Sequence, residues 1–187
     1  MKKSTVYELT CCALMAAIIC IFAPMSVPIG PIPVSLTNLV LYFAIFLLGT
    51  RGTTISYIVY LLLGLVGLPV FSGYVGGVAK VAGPTGGYLI GFLPMILIMG
   101  PLYALARKQS RIWINWAITV GGMILATAVA YVFGTIWFVL QMDCTVAYAM
   151  TVCVLPFIPF DLAKIVIANL LGRAVRRPLC KQGLIVR

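Results

Sequence analysis

The chain has no histidine and only three acidic residues, Glu8, Asp143 and Asp161, among 187. Without histidine, a Ser-His-Asp triad and histidine-based zinc or proton-relay chemistry are excluded. No P-loop glycine-lysine run occurs, so the chain does not itself drive transport by ATP hydrolysis. Six cysteines (Cys11, Cys12, Cys20, Cys144, Cys153 and Cys180) form no C-x-x-C pair. Most lie in apolar stretches, where a thiol behaves as a small hydrophobe. Composition leaves a Ser-Lys dyad open, but no serine lies near Lys164 in sequence.

Apolar sequence fills the space that the charges leave. Hydrophobic residues make up 63% of the chain and charged residues 9%. Apolar runs recur along its whole length, which marks a polytopic integral membrane protein. The expected fold is all-α: one six-helix domain over residues 1–187, with no room for a soluble domain. The spans are predicted at 6–24, 36–50, 53–68, 87–106, 113–140 and 147–174. The first lacks a small-residue cleavage site and reads as a retained helix rather than a signal peptide.

Net charge is +10, yet it does not point to nucleic acid, because the basic residues are sorted by loop. Lys2 and Lys3 precede the first span, and Arg51 lies between the second and third. Arg107, Lys108 and Arg111 lie between the fourth and fifth. Arg173, Arg176, Arg177, Lys181 and Arg187 fall at or beyond the end of the sixth. Only Lys80 falls in an alternate loop. The positive-inside rule then places both termini in the cytoplasm.

The other connections differ in character. Pro24 to Ser35 holds four prolines, which favour a stiff, extended loop. Leu68 to Tyr88 is glycine-rich and too apolar for a solvated linker. Irregular backbone at membrane depth is tolerated where it is buried in protein or lines a cavity. Gln141 to Thr145 is short and carries Asp143. The two halves show no convincing repeat, so an inverted-repeat carrier is not supported.

Asp161 and Lys164 are the strongest signal. Ionisable residues inside an apolar span are costly and tend to face the interior at a substrate or ion site. Their i, i+3 spacing puts an acceptor and a donor on one helix face. Pro156 and Pro159 just upstream disturb that helix and free carbonyls. The bland alternative is a mutually neutralising structural pair. Thr85-Gly86-Gly87-Tyr88 follows Pro84 at the start of the fourth span. Its free N–H groups suit an anionic group, and its glycines allow close backbone approach; the plain alternative is a helix cap and turn. Ala13 and Ala17 form a small-x-x-x-small pair, which from packing physics alone reads as internal bundle contact. Trp113, Trp116 and Tyr103 read as an interfacial belt.

Three segments carry a resemblance: Gly64-Leu-Val-Gly-Leu-Pro-Val-Phe-Ser-Gly73, Gly83-Pro-Thr-Gly-Gly-Tyr88 and Pro159-Phe-Asp-Leu-Ala-Lys164. They resemble the BioY family, the biotin-specific S components of energy-coupling factor (ECF) transporters. Pro28-Ile-Gly-Pro-Ile-Pro33 is similar to that family's first loop. The resemblance implies a six-helix S-component fold in a prokaryotic plasma membrane and high-affinity capture of biotin from outside. It implies as partners a transmembrane coupling subunit and two ATPase subunits, and no cofactor, metal or enzymatic activity of the chain itself. It also implies that Ala13 and Ala17 dock on the coupling subunit.

Family members commonly read Ile-Thr-Leu-Gln-Thr at the entry to the second span, where this chain reads Val34-Ser-Leu-Thr-Asn38. A polar contact supplied there by glutamine then falls to Thr37 or Asn38. A carboxylate can accept a ureido N–H, and a lysine can donate to the ureido carbonyl. Phe71, Tyr74 and Tyr88 can line the ring. The expected ligand-binding set is Asp161, Lys164, Tyr88, Thr37, Asn38, Phe71, Ser72, Gly73, Tyr74, Thr85, Gly86 and Gly87. The competing readings are a self-sufficient secondary carrier for a small organic solute, with Asp161 as its ion site, and an intramembrane enzyme using Asp161 or Lys164.

Overall fold

The structure is a computed structural model that describes residues 5–29 and 32–182. Lys2, Lys3 and Arg187, and the Gly30-Pro31 tip of the proline-rich loop, lie outside the described residues. The chain is mostly helical: α1 (Thr5–Phe22), α2 (Thr37–Leu65), α3 (Val78–Ala82), α4 (Gly86–Arg107), α5 (Ile112–Met142), α6 (Val146–Cys153) and α7 (Phe157–Lys181). One short hairpin, β1 (Ser26–Ile29) with β2 (Ile32–Ser35), departs from the all-α expectation.

Local chemistry sets the boundaries. α1 stops just before Pro24, whose ring disfavours helical conformation in the preceding residue. The extended preference of the prolines then feeds the hairpin, in which Pro28 faces Pro33. Proline has no N–H, so the two can oppose each other where an antiparallel ladder needs no donor. α5 ends at Asp143 in the left-handed region (φ 47°), which a short polar side chain tolerates. The Thr145 hydroxyl then caps α6 by accepting from the Tyr148 N–H at 3.3 Å.

α2 is not one straight rod. Gly49 breaks its helical geometry with φ 71° and ψ −172°, a conformation open to glycine. Thr37 and Tyr60 line the same cavity, whereas a straight helix would hold them about 35 Å apart. The arms 37–48 and 50–65 therefore run back alongside each other, as the separate predictions at 36–50 and 53–68 anticipate. The prediction of one continuous segment over 147–174 is corrected. The chain breaks between Cys153 and Phe157, and α6 and α7 are bent by 47°. Pro156 and Pro159 withdraw two N–H donors there, which a continuous helix would have needed.

α4 and α5 form the most extensive helix pair, and α2 bridges α1, α4 and α7. The central core holds Tyr42, Phe46, Tyr57, Tyr60, Phe71, Met95 and Met99, all fully buried. Tyr103 belongs to this core, not to an interfacial belt: it packs edge-on to Phe46 with ring centroids 4.5 Å apart. Trp113 is exposed. By length and composition α2, α4 and α5 can each cross a membrane, and the bent α6–α7 pair can serve as a fourth span.

Candidate functional site

The site forms where α2, α5 and α7 meet beneath the β hairpin. Asp161 and Lys164 project from α7 one turn apart and are 6% and 7% exposed. The Lys164 ammonium donates to Asp161 Oδ1 at 2.9 Å and to the Ser35 carbonyl at 2.7 Å. Asn38 Nδ2 donates to the same carboxylate oxygen at 2.8 Å, and the Tyr131 hydroxyl donates to Oδ2 at 2.5 Å. Four elements, α2, α5, α7 and β2, thus converge on one ion pair.

Such convergence is what a dry ion pair demands. Each ion loses several kcal/mol of hydration, so attraction must be joined by further hydrogen bonds. A carboxylate offers about four lone-pair sites, two on each oxygen. Oδ1 uses both and Oδ2 uses one, which leaves one acceptor position. The ammonium has three N–H groups and commits two to protein oxygens. Asp161 and Lys164 therefore present a single acceptor beside a single donor.

The cavity around this pair is about 60 Å³, far below the roughly 300 Å³ or more of a pocket that holds a drug-sized ligand. Its apolar walls are Ile32 and Pro33 of the hairpin, Leu89, Phe92 and Met95 of α4, Ala130 of α5 and Phe157 of α7. The rings of Tyr88 and Phe157 stack with centroids 6.3 Å apart. The hairpin and the segment 66–85 together roof the space. That segment is pinned rather than slack. The Gly73 N–H donates to Pro24 O at 3.0 Å, the Gly77 N–H to Gly64 O at 2.7 Å, and Trp137 Nε1 to Gly83 O at 2.9 Å.

Of the residues expected at the site, Asp161, Lys164, Tyr88, Thr37, Asn38, Ser72 and Thr85 all line the cavity. Phe71, Gly73, Tyr74, Gly86 and Gly87 do not. Phe71 is fully buried, edge-on to Tyr60 and pressed against Gly64. Tyr74 is 64% exposed. Gly86 abuts the Val81 carbonyl and Gly87 the Trp137 side chain and Phe133 carbonyl. These glycines let backbone and helix approach each other rather than opening a path to a ligand. Ala13 and Ala17 lie on the exposed face of α1, while Cys12, Met15, Ala16 and Ile19 point inward. The internal-packing reading of the alanine pair is thereby overturned.

Sequence reasoning missed Tyr131, Tyr60, Thr127 and Phe157, which also line the cavity. Thr127 and Tyr131 share an i, i+4 face of α5, a polar strip in an otherwise apolar helix that spacing alone could have revealed. The Thr127 hydroxyl pairs with the buried Tyr42 hydroxyl at 2.5 Å. The Tyr60 hydroxyl is buried beside Thr37 with no hydrogen bond that meets the usual geometry among the described residues.

Comparison with known proteins gives a consistent picture. A family model described as the BioY family matches residues 1–181. "Biotin transporter BioY2" of Lactococcus lactis is 36% identical over 182 residues, covering 96% of this chain and 95% of the relative. "Biotin transporter BioY" of Thermotoga maritima is 34% identical over 165 residues, covering 88% and 92%. A crystal structure of the S-component for biotin from an ECF-type ABC transporter superposes with a TM-score of 0.84. It is 32% identical, with 95% of this chain and 94% of that chain covered.

Proposed function

The chain belongs to the BioY family, and from that premise we propose that it captures biotin from outside the cell as the S component of an ATP-driven ECF importer. The observation that carries this reading is the buried Asp161–Lys164 pair with one acceptor and one donor uncommitted. A cyclic urea presents an N–H beside a carbonyl. The N–H fits the open position on Asp161 Oδ2, and the carbonyl fits the third N–H of Lys164. Thr37 and the Tyr60 hydroxyl supply further polar groups at the wall. The apolar ring lies among Tyr88, Phe92, Met95 and Phe157.

Binding requires the roof to move, since the cavity is much smaller than the ligand. The hairpin and the segment 66–85 lift, admit biotin and close again, excluding water and strengthening the few polar contacts. On this reading six segments cross the membrane: α1, the two arms of α2, α4, α5 and the α6–α7 pair. The arms of α2 are about 18 and 24 Å long, short of the roughly 30 Å hydrocarbon core. The hairpin and the segment 66–85 make up the outer part. Both termini then lie in the cytoplasm of a prokaryotic cell, in keeping with the loop charges.

Energy comes from partners, a transmembrane coupling subunit and two ATPase subunits. The outward Ala13 and Ala17 offer the coupling subunit a face on which helix backbones can approach closely. The test is biotin binding and uptake by the purified chain in liposomes, with and without those subunits. Binding by the chain alone and uptake only with the full set is expected; ATP-independent uptake at the full rate by the chain alone would mean a secondary carrier. In the same assay, Ala17→Trp should keep biotin binding and lose co-purification with the coupling subunit. Normal assembly by Ala13→Trp and Ala17→Trp would move the docking surface elsewhere.

A further inference from the structure

Between Gly64 and Thr85 the chain buries one residue, Phe71. Val66, Leu68, Tyr74, Val75 and Val78 are exposed. Val70 and Val81 reach the central core only in part. Ordering this long segment over the cavity costs conformational entropy, and little buried apolar area is there to offset it. Phe71 is therefore the main apolar tie between the roof and the helices below.

The seat of that side chain is shaped for a ring. Tyr60 and Gly64 lie about one turn apart on the second arm of α2. A Cβ at Gly64 would overlap the Phe71 ring, with Cζ, Cε1 and Cε2 as its nearest neighbours. Tyr60 meets the ring edge-on, with centroids 5.5 Å apart, a favoured aromatic geometry. The Gly64 carbonyl accepts from the Gly77 N–H at 2.7 Å and from the Gly67 N–H at 3.1 Å. The chain thus leaves α2 at Gly64, sets Phe71 onto it and returns to it at Gly77. The turn between is strained, since Tyr74 holds φ 59°, a conformation unfavourable to a residue with a Cβ. Such strain persists where surrounding contacts fix it, and it gathers at ligand clamps.

Both neighbours of the seat belong to the cavity wall. Tyr60 lines the cavity from α2, its hydroxyl beside Thr37. Ser72, the residue after Phe71, lines it from the roof. Phe71 touches neither the cavity nor solvent. One buried ring therefore joins a wall residue on a helix to a wall residue on the roof.

We propose that Phe71 is a positioning residue for the ligand: its seat on Gly64 holds the Tyr60 hydroxyl and Ser72 at the cavity wall and sets the rate of ligand release, a role that rests on the biotin reading of that cavity. Release requires the roof to lift, and lifting draws the ring off Gly64 and away from Tyr60. A weakened seat speeds release and does not slow entry. A merely damaged fold would instead reduce the fraction of chains able to bind and slow association.

The test times association and release of radiolabelled biotin separately, with the intact chain in neutral detergent. Phe71→Leu keeps an apolar side chain and removes the ring. It is expected to speed release about tenfold, the equivalent of one edge-to-face ring contact, with association no slower than wild type. Gly64→Ala should act in the same direction, because its methyl group takes the place of the ring. Leucine lacks the three ring atoms nearest to that methyl. Gly64→Ala combined with Phe71→Leu should therefore release biotin more slowly than Gly64→Ala alone. The effects of Phe71→Leu and Tyr60→Phe on release should be less than additive, since both act through one hydroxyl.

Wild-type release by Phe71→Leu overturns the proposal, as does slowed association with unchanged release. Full additivity with Tyr60→Phe overturns it too, and that pair decides the matter even if Gly64→Ala fails to fold. Hydrogen exchange at residues 72–77 in the unliganded protein should quicken in Phe71→Leu, and unchanged exchange would mean that Phe71 does not seat the roof. This last measurement needs no biotin. If the wild-type chain binds none, the transport reading fails while the seat is still tested.

Discussion

Helix α7 handles charge in opposite ways at its two ends. Near its start, one acid and one base sit buried and are closed off by Asn38, Tyr131 and the Ser35 carbonyl. Near its finish, Arg173, Arg176, Arg177 and Lys181 gather around an open space with no acid among the described residues that line it. The first end is neutral, dry and nearly saturated. The second sets two of its guanidinium groups against aromatic rings and protein oxygens. The contrast teaches that one helix can hold its ions as a buried, balanced pair at one end and as a cluster of one sign at the other.

The sharpest way to break the comparison is to uncouple the pair. Asp161→Asn or Lys164→Ala alone strands the remaining partner's charge or hydrogen bonds, so each should weaken biotin binding by about 2–5 kcal/mol in isothermal titration. Combining Asp161→Asn with Lys164→Gln removes both charges and should recover much of the lost thermal stability while binding stays lost. Wild-type biotin affinity in either single variant would reduce the pair to a structural element. Tyr131→Phe is the next step down. It removes one hydrogen bond to a charged acceptor and keeps the ring, so a loss of about 1.5–3 kcal/mol in biotin binding is expected. An affinity equal to wild type would show that Tyr131 orients nothing the ligand uses.

At the other end, Arg173→Gln should cost about 1–2 kcal/mol of stability through its lost bond to Asn169 and its place over Trp116. Thermal unfolding in neutral detergent checks this. The smallest effect concerns the roof. Trp137→Phe deletes the bond to the Gly83 carbonyl, a net contribution of about 1 kcal/mol, together with part of the ring contact near Gly86. Hydrogen exchange at residues 78–85 should quicken modestly in the unliganded protein, and unchanged exchange would mean the roof is held elsewhere.

Much of this was legible in the sequence, for reasons that differ by residue. Asp161 and Lys164 stand out because an apolar span makes any charge conspicuous. Arg51 marks the reversal inside α2, since a basic residue between two apolar runs favours one membrane side; that Gly49 takes the turn is seen only in the structure. Tyr131 gave a weaker signal: its i, i+4 spacing from Thr127 marks a polar strip on α5, but spacing does not show that a distant carboxylate is its partner. The glycines at positions 86 and 87 were ambiguous for a related reason. Glycine permits close approach, but spacing does not say whether a ligand or a neighbouring helix comes near. The break before α7 was half visible: Pro156 and Pro159 pointed to a disturbance, yet its 47° size depends on how α6 packs against α5.

The single free acceptor and single free donor left at the ion pair have a consequence for what the pocket turns away. A site that is already electrically balanced gains nothing from a formal charge and must bear the full cost of any unmatched ion brought into it. It therefore sorts solutes by charge state before it sorts them by shape. On the proposed reading, simple inorganic ions, ammonium groups and carboxylates are expected to be disfavoured beside the pair on that ground. A ligand that carries a carboxylate is then expected to hold that end outward at the mouth.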